Sequence, residues 1–203
     1  MSPPSAREFA RHLASFAPDP TDPTKPANRP ALAALRRGLG KKPDENLEPY
    51  RYIGTTLARC APWQIDWYYL VACLFALHPV NWPEWGTGDG FMPTNLGASF
   101  HRLVADTENM RESAEKRFVA LLNCHVDDLP QHLRQAVSLL KAHNVQIDWA
   151  RLLDDVQKWD HQEGHVRRDW AQAFWSDPDR PDNDQTAGPD AGTNDEPDSG
   201  SKS

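Results

Sequence analysis

The sequence predicts an all-α fold, a two-part helical bundle of about nine helices. Apolar residues recur at spacings of three and four through most of the chain, which is the period of a helix with one buried face. No stretch alternates strictly between apolar and polar residues, the pattern typical of a half-buried strand. With 39% hydrophobic and 25% charged residues among 203, the chain has enough apolar surface to bury a core.

Four apolar stripes in the N-terminal part each predict a helix. They are Phe9, Leu13 and Phe16; Leu32, Leu35 and Leu39; Tyr50, Ile53 and Leu57; and the run from Trp63 to Leu77. The last run is apolar on most sides, which predicts the central, buried helix. Its longest uninterrupted apolar stretch is about half of the roughly 20 residues that span a bilayer, so we expect no membrane partner. The first five residues also lack the pattern of a signal peptide.

Five further stripes predict the C-terminal bundle. They are Leu96, Phe100 and Leu103; Ala114, Phe118, Leu121 and Leu122; Leu129, Leu133, Val137 and Leu140; Trp149, Leu152, Leu153, Val156 and Trp159; and Val166, Trp170 and Phe174. Aspartates that can accept hydrogen bonds from free backbone N–H groups stand where two of these helices should begin. These residues are Asp127 or Asp128 before one helix and Asp148 before the next.

Three segments interrupt the helical pattern. Residues 18–30 contain five prolines, which predicts an extended linker. Residues 78–93 are rich in glycine and proline but include Trp82 and Trp85, so this loop either packs on the body as a structural flap or docks a neighbouring protein. Residues 177–203 carry eight acids against two basic residues, a net charge of −6, which predicts a disordered acidic tail. The predicted units are therefore an N-terminal helical part (1–93), a C-terminal helical bundle (94–176) and the tail (177–203).

The three cysteines, Cys60, Cys73 and Cys124, lie far apart and alternate with core residues. This placement favours small buried side chains in a reducing compartment over a disulfide framework or a metal site. We therefore expect a cytoplasmic protein.

Most motifs that resemble reactive sites lack a part that the chemistry needs. His161–His165 (HQEGH) places two histidines four residues apart, but the acid is at the third position and Gly164 interrupts the helix. A polar turn is therefore a simpler interpretation than a zinc site. Gly86–Gly90 (GTGDG) has no following lysine and no preceding strand, which favours a plain loop over a phosphate-binding loop.

Neighbouring acids also give no catalytic pair. Asp154 and Asp155, like Glu112 and Glu115, lie opposite the apolar stripes, so we expect solvated helix faces. On such a face Arg151 and Asp155 form an ordinary pair four residues apart. No nucleophile motif is present. The sequence thus predicts a protein that is not an enzyme and uses no metal and no cofactor.

Positive charge is concentrated near the N-terminus, where residues 1–43 hold eight basic residues against three acids. The whole chain has a formal charge of −7, but residues 1–176 carry only −1 of it. Overall acidity is therefore no argument against a nucleic-acid partner. Arg36, Arg37, Lys41 and Lys42 cluster within seven residues at a predicted helix end. Two interpretations stay open, namely attraction to the negative end of the helix dipole and contact with a polyanion.

A second group of cations lies on the predicted helix that begins near Leu129. Arg134 and Lys141 are seven residues, or two turns, apart on one flank, with His132 on the other. Cations at such spacing suit binding to phosphates irrespective of base sequence, although ordinary protein surfaces also carry them.

Residues 118–175 closely resemble the C-terminal half of the small subunit, the CasB family, of the type I-E CRISPR surveillance complex Cascade. The matching elements are, in order, FxxLL, DLxxHLRxxVxLL, DWxxLLxD and VxRxWAxxFW. The segment 31–43 (ALAALRRGLGKKP) is similar to the basic helix of the same family. Together the two segments span most of residues 29–175.

The resemblance implies an all-helical, non-catalytic subunit of an antiviral, RNA-guided complex. Its implied partners are the backbone and large subunits of Cascade and a second copy of itself. Its implied role is to stabilise the R-loop, in which guide RNA pairs with the target DNA strand while a basic surface holds the DNA, notably the displaced single strand. By carry-over onto the matching segments, the predicted DNA-backbone contacts are Arg36, Arg37, Lys41, Lys42, Arg117, Arg134 and Lys141.

The C-terminal cations depart from the family pattern. Gln135 follows Arg134 at a position where the family can carry a second basic residue. In the segment 111–117, Glu112 and Glu115 alternate with the cations Arg111, Lys116 and Arg117. Both features predict a weaker C-terminal patch.

Two alternatives to DNA binding remain at this point. The first is a protein-interaction spacer with no direct DNA contact, in which loss of cations leaves DNA binding by the assembly unchanged while changes of exposed aromatic residues disrupt assembly. The second is an enzyme, against which the missing catalytic residues argue. The acidic tail suggests a separate hypothesis, that its charge screens the basic residues of the free protein.

Overall fold

The computed structural model describes residues 4–19, 22, 24–80, 94–160 and 164–176. All regular elements within these ranges are helical, which confirms the all-α prediction. The helices are α1 (Ala6–Ala14), α2 (Arg29–Arg37), α3 (Tyr50–Leu57), α4 (Pro62–Leu77), α5 (Leu96–Asp106), α6 (Arg111–Leu122), α7 (Leu129–Ala142), α8 (Trp149–Val156) and α9 (His165–Trp175), with a short 3₁₀ turn at Glu108–Met110. Each of the nine predicted stripes contributes to one of them.

Some sequence predictions fall outside the described residues. They concern the aromatic loop with Trp82 and Trp85, the GTGDG segment, the first three residues of HQEGH and the acidic tail. The division into units 1–93, 94–176 and 177–203 stays a prediction. Within the described ranges, helices from before and after residue 93 pack on one another, with α1 against α8 and α4 against both α7 and α8.

Several helix starts are fixed by side-chain caps. At α1, the Ser5 N–H donates to Glu8 Oε2 at 2.8 Å and the Glu8 N–H donates to Ser5 Oγ at 3.3 Å, a reciprocal pair that satisfies two free donors. Asp148 caps α8 as predicted, accepting from the Arg151 N–H at 2.9 Å. Asp128 stands at the predicted position before α7, but its backbone is already helical and its side chain caps nothing. The capping role predicted for Asp127 or Asp128 is therefore wrong.

The central helix of the fold is α4, as its apolar run predicts. Its residues from Tyr68 to Ala76 are almost all buried, and it packs against α2, α3, α7 and α8. The buried Tyr68 hydroxyl donates to the Pro4 carbonyl at 2.7 Å, so its polar end is satisfied. Trp63, in the first turn, is 62% exposed, because that turn extends beyond the core.

The cysteines are free thiols. Cys73 and Cys124 are buried, as predicted, whereas Cys60 is half-buried. Burial raises the pKa of all three thiols, that of Cys73 to about 12, so they are protonated, weakly polar packing groups at neutral pH.

The periodicity places Asp155 on a solvated face, and the structure corrects this. Asp155 is 3% exposed and accepts hydrogen bonds from Trp170 Nε1 at 2.7 Å and from Arg151 Nε at 2.9 Å. Arg151 also lies 3.6 Å from Asp169 on α9. The cause is tertiary: α9 lays Trp170 over the outer side of α8, so the pair becomes a polar link between two helices.

The two helices α5 and α9 approach so closely that only glycine fits at one position. A Cβ atom at Gly97 would lie 2.0 Å from the carbonyl oxygen of Trp170, which is backbone and cannot rotate away. Close packing at Gly97 thus fixes α9, and with it Trp170, against the rest of the bundle.

Gly97→Ala is expected to lower the free energy of unfolding by about 3 kcal/mol, because the helices must separate to admit the methyl group. The measurement is urea denaturation followed by circular dichroism. Gly54→Ala is the matched control, since a Cβ there meets only Tyr50 at 3.7 Å and alanine favours the helix by up to about 1 kcal/mol. Equal effects of the two substitutions would contradict the close contact between α5 and α9.

The contribution of Asp155 to the stability of the fold is expected to fall as pH rises from about 4 to about 6. Burial raises the pKa of Asp155 from 3.8 to about 6, against hydrogen bonds from Trp170 and Arg151 that favour the charged form. The folded state therefore binds more protons than the unfolded state in this window, and stability is lost as the pH passes through the folded pKa. The loss attributable to Asp155 is about 2 kcal/mol.

The test is urea denaturation across pH with Asp155→Asn, which retains an oxygen to accept from Trp170 Nε1 but does not titrate. The variant should lack this part of the pH dependence, while Asp44→Asn, an exposed site, should keep it. An unchanged slope in Asp155→Asn would show that another group is responsible.

Candidate nucleic-acid interface

The turn after α2 is shaped by two glycines and exposes two lysines. A Cβ at Gly38 would lie 2.6 Å from Cys73 Sγ, so the end of α2 presses directly on α4. Gly40 has a φ of +77°, a left-handed conformation that side-chain-bearing residues rarely adopt. The chain therefore turns sharply and leaves Lys41 and Lys42 exposed.

The two arginines at the end of α2 both have protein partners. Arg36 Nε donates to the Ala76 carbonyl at 2.6 Å, in the last turn of α4. Arg37 forms an ion pair with Glu48. Both arginines lie in the last turn of α2, as the helix-end interpretation requires, but the carbonyl to which Arg36 donates belongs to α4 rather than to α2. Arg37, whose charge is already compensated, is the weakest of the seven candidates.

The lysine–glycine turn and α7 meet at the surface. A Cβ at Gly40 would come within 3.3 Å of Arg134 Nη1, so the Arg134 guanidinium lies directly beside the turn that carries Lys41 and Lys42. Two groups of cations that are far apart in the sequence therefore form neighbouring parts of one surface. The sequence alone could not show this, because the contact depends on how α2 and α7 both pack on α4.

Lys141 joins the same surface at the end of α4. Burial lowers the pKa of His78, the residue that follows α4, and the positive charge of Lys141 lowers it further. His78 Nε2 donates to the Val145 carbonyl at 2.7 Å, which opposes the shift and ties the end of α4 to the segment after α7. Arg36 and Lys141 therefore both lie near the C-terminal end of α4, where the helix dipole favours positive charge.

A groove of about 460 Å³ between α6 and α7 extends this surface. It is lined by Arg117, Gln131, Arg134, Gln135, Ser138, Leu139 and Ala142. A smaller hollow of about 170 Å³ lies beside it, lined by Lys116, Arg117, Ala120, His132, Gln135 and Ala136. Neither lining includes a carboxylate or a six-membered aromatic ring.

Gln135 lines both the groove and the smaller hollow beside it. From the sequence, this residue predicts a weaker C-terminal patch, because it stands where the family can carry a cation. Its amide can donate a hydrogen bond to a phosphate oxygen, as can the amide of Gln131, while Ser138 Oγ already donates to the Arg134 carbonyl at 2.7 Å. These donors carry no charge, so a search of the sequence for cations does not identify them. Their placement at i and i+4 on α7 was the available signal.

The interleaved acids of α6 do not neutralise Arg117. Glu112 pairs with Lys116 at 2.6 Å, and Glu115 accepts from Trp175 Nε1 at 3.2 Å on the opposite flank of the helix. Among the seven candidates, Arg37 is paired with Glu48. In the described part of the chain, no ion pair joins a carboxylate to any of the other six. We call these six residues the basic surface: Arg36, Lys41, Lys42, Arg117, Arg134 and Lys141.

The described residues offer little for other chemistry. Within them, no cluster of three or more His, Cys, Asp or Glu residues is placed to hold a metal ion. No helix among them is long and apolar enough to cross a membrane.

Comparison with known proteins gives a consistent result. The family described as CRISPR-associated protein Cse2 matches residues 31–175. A CRISPR-associated protein Cse2 from Thermus thermophilus is 34% identical over 148 residues, which are 71% of this chain and 78% of that protein.

Solved structures agree with the sequence match. The crystal structure of M. ruber CasB has a TM-score of 0.63 at 28% identity, covering 86% of this chain and 94% of CasB. A chain from a CRISPR RNA-guided surveillance complex has a TM-score of 0.62 at 26% identity, covering 83% of this chain and 90% of that one.

Proposed function

The chain belongs to the Cse2 family of CRISPR-associated proteins, the family of the Cascade small subunit, and on that premise we propose that its basic surface binds DNA backbone to stabilise the R-loop. The proposed partners are the displaced and target DNA strands, the backbone and large subunits, and a second copy of the chain in the assembled complex. We further propose that the subunit is non-catalytic and acts in the cytoplasm.

The observation that carries the proposal is the contact of Arg134 with the turn at Gly40. This contact joins the cations of the turn after α2 to those of α7, and the groove lined by both Arg117 and Arg134 adds α6 to the same surface. Lys41, Lys42 and Arg134 are exposed and have no carboxylate partner among the described residues, so their charge is available to an external anion. Six cations on one surface suit a strand whose phosphates repeat along its length.

The lining of the groove favours phosphates over bases as the bound groups. Its polar side chains are arginines, glutamines and a serine, and its lining residues include no aromatic ring on which a base could stack. Binding of this kind is insensitive to base sequence, as the displaced strand of an RNA-guided complex requires. Because guide–target pairing is about as stable as the duplex that it replaces, modest contacts to the backbone can shift the balance towards the open R-loop.

Contacts with other subunits need a different surface. Trp63 is 62% exposed and Trp175 is 48% exposed, and tryptophan is enriched at protein interfaces. We propose these two side chains as subunit contacts. They also support the spacer as a second candidate function, in which such contacts are the whole role of the chain.

Arg117→Ala/Arg134→Ala is expected to weaken binding of the chain to labelled single-stranded DNA and to make it less sensitive to salt. If both arginines neutralise phosphates, the slope of log K against log salt becomes shallower by about 1.4, since each phosphate contact on a single strand contributes about 0.7. The measurement is fluorescence anisotropy across a salt series.

Arg7→Ala/Lys158→Ala is the matched control, because it removes the same charge from cations that lie close to Asp154. It should leave the salt slope unchanged. Absence of binding at low salt would contradict a DNA-binding role and favour the spacer, whereas equal weakening by both double variants would contradict binding through the basic surface.

A further inference from the structure

We propose that the acidic segment 177–203 binds the basic surface of the free chain and competes there with nucleic acid. The inference rests on the proposed function, because the basic surface is the one assigned to DNA. It adds a regulatory partner that the chain itself carries. In the assembled complex, DNA phosphates then displace the segment.

The described part of the chain ends on the flank of α6 that faces away from the groove. Trp175, the last residue of α9, contacts this flank of α6, with its Nε1 donating to Glu115 and its ring 5.9 Å from that of Phe118. Arg117, on the same helix, lines the groove. The start of the acidic segment and the edge of the basic surface are therefore separated by about one helix diameter, roughly 10 Å.

The segment is long enough to cover the surface. In the sequence 27 residues follow Ser176, and a polar chain of that length has an r.m.s. end-to-end distance of about 30 Å. Four of its eight acids, Asp177, Asp179, Asp182 and Asp184, occur in its first eight residues. A tether of this length gives an effective concentration in the millimolar range, so even weak contacts are populated.

Charge complementarity selects the basic surface as the binding site. The segment carries a net charge of −6 and the basic surface presents six cations. Other cations, such as Lys25, Lys116 and Arg151, are already paired with Asp22, Glu112 and Asp155 respectively. Acidic side chains gain most by binding where several cations lie together on one surface and no carboxylate from the described residues competes.

Zero-length carbodiimide cross-linking of the full chain tests the contact directly and needs no DNA. Amide bonds should form between carboxylates of 177–203 and Lys41, Lys42 or Lys141, detected by mass spectrometry, and should disappear at about 0.5 M salt because screening removes the attraction. Lys25 and Lys158 serve as exposed control lysines. Absence of tail cross-links, or equal cross-linking to the control lysines, would overturn the inference.

The competition is tested by DNA binding with two variants of the segment. A chain that ends at Ser176, and a full-length chain with the eight acids changed to Asn or Gln, should both bind single-stranded DNA about three- to tenfold more tightly at low salt. A scrambled segment of the same composition should retain the affinity of the unmodified chain, because the effect is electrostatic.

The outcomes separate the two proposals. If both variants bind like the unmodified chain while Arg117→Ala/Arg134→Ala weakens binding, the tail inference is wrong and the DNA-binding role stands. If no version of the chain binds DNA, the DNA-binding role is wrong, and the cross-links alone decide whether the segment contacts the basic surface.

Discussion

The burial of α4 is the constraint on which the rest of the structure depends. This helix is apolar on nearly every side from Tyr68 onwards, so it must be covered on all sides, and helices from before and after residue 93 do so. Covering it brings α2 and α7 together, although they are far apart in sequence. The exposed side chains of these two helices then contribute to one surface, and they include Arg36, Arg134 and Lys141 but no acid.

The polar end of α4 contributes to the same arrangement. Its last carbonyls lack partners within the helix, and Arg36 donates to one of them. Lys141 lies near the same end, beside the buried His78. The packing of an apolar helix and the negative end of its dipole thus both favour cations at one position on the surface. A structural role and a DNA-binding role for these residues are consequences of one arrangement and do not exclude each other.

Periodicity was sufficient to predict the helices, because each of them except α4 buries one stripe and α4 is a long apolar run, and Asp148 was recognisable as a cap from its position. The burial of Asp155 was not predictable, since Trp170 covers it from another helix. Arg37 could be identified as a cation, and through family resemblance as a candidate contact, but its ion pair with Glu48 depends on how the loop before α3 returns. Likewise, the contact of Arg134 with Gly40 arises only from tertiary packing. Residue type therefore indicated the candidates, and the fold determines which of them act together.

The most direct test is a measurement of R-loop lifetime on the assembled complex. The complex that contains the triple variant Arg117→Ala/Arg134→Ala/Lys141→Ala is compared with the complex that contains the unmodified chain. The account predicts normal incorporation of the subunit and faster R-loop collapse, with the difference shrinking at high salt as phosphate contacts weaken. A complex with full occupancy of the variant and an unchanged R-loop lifetime would contradict it and would identify the chain as a spacer.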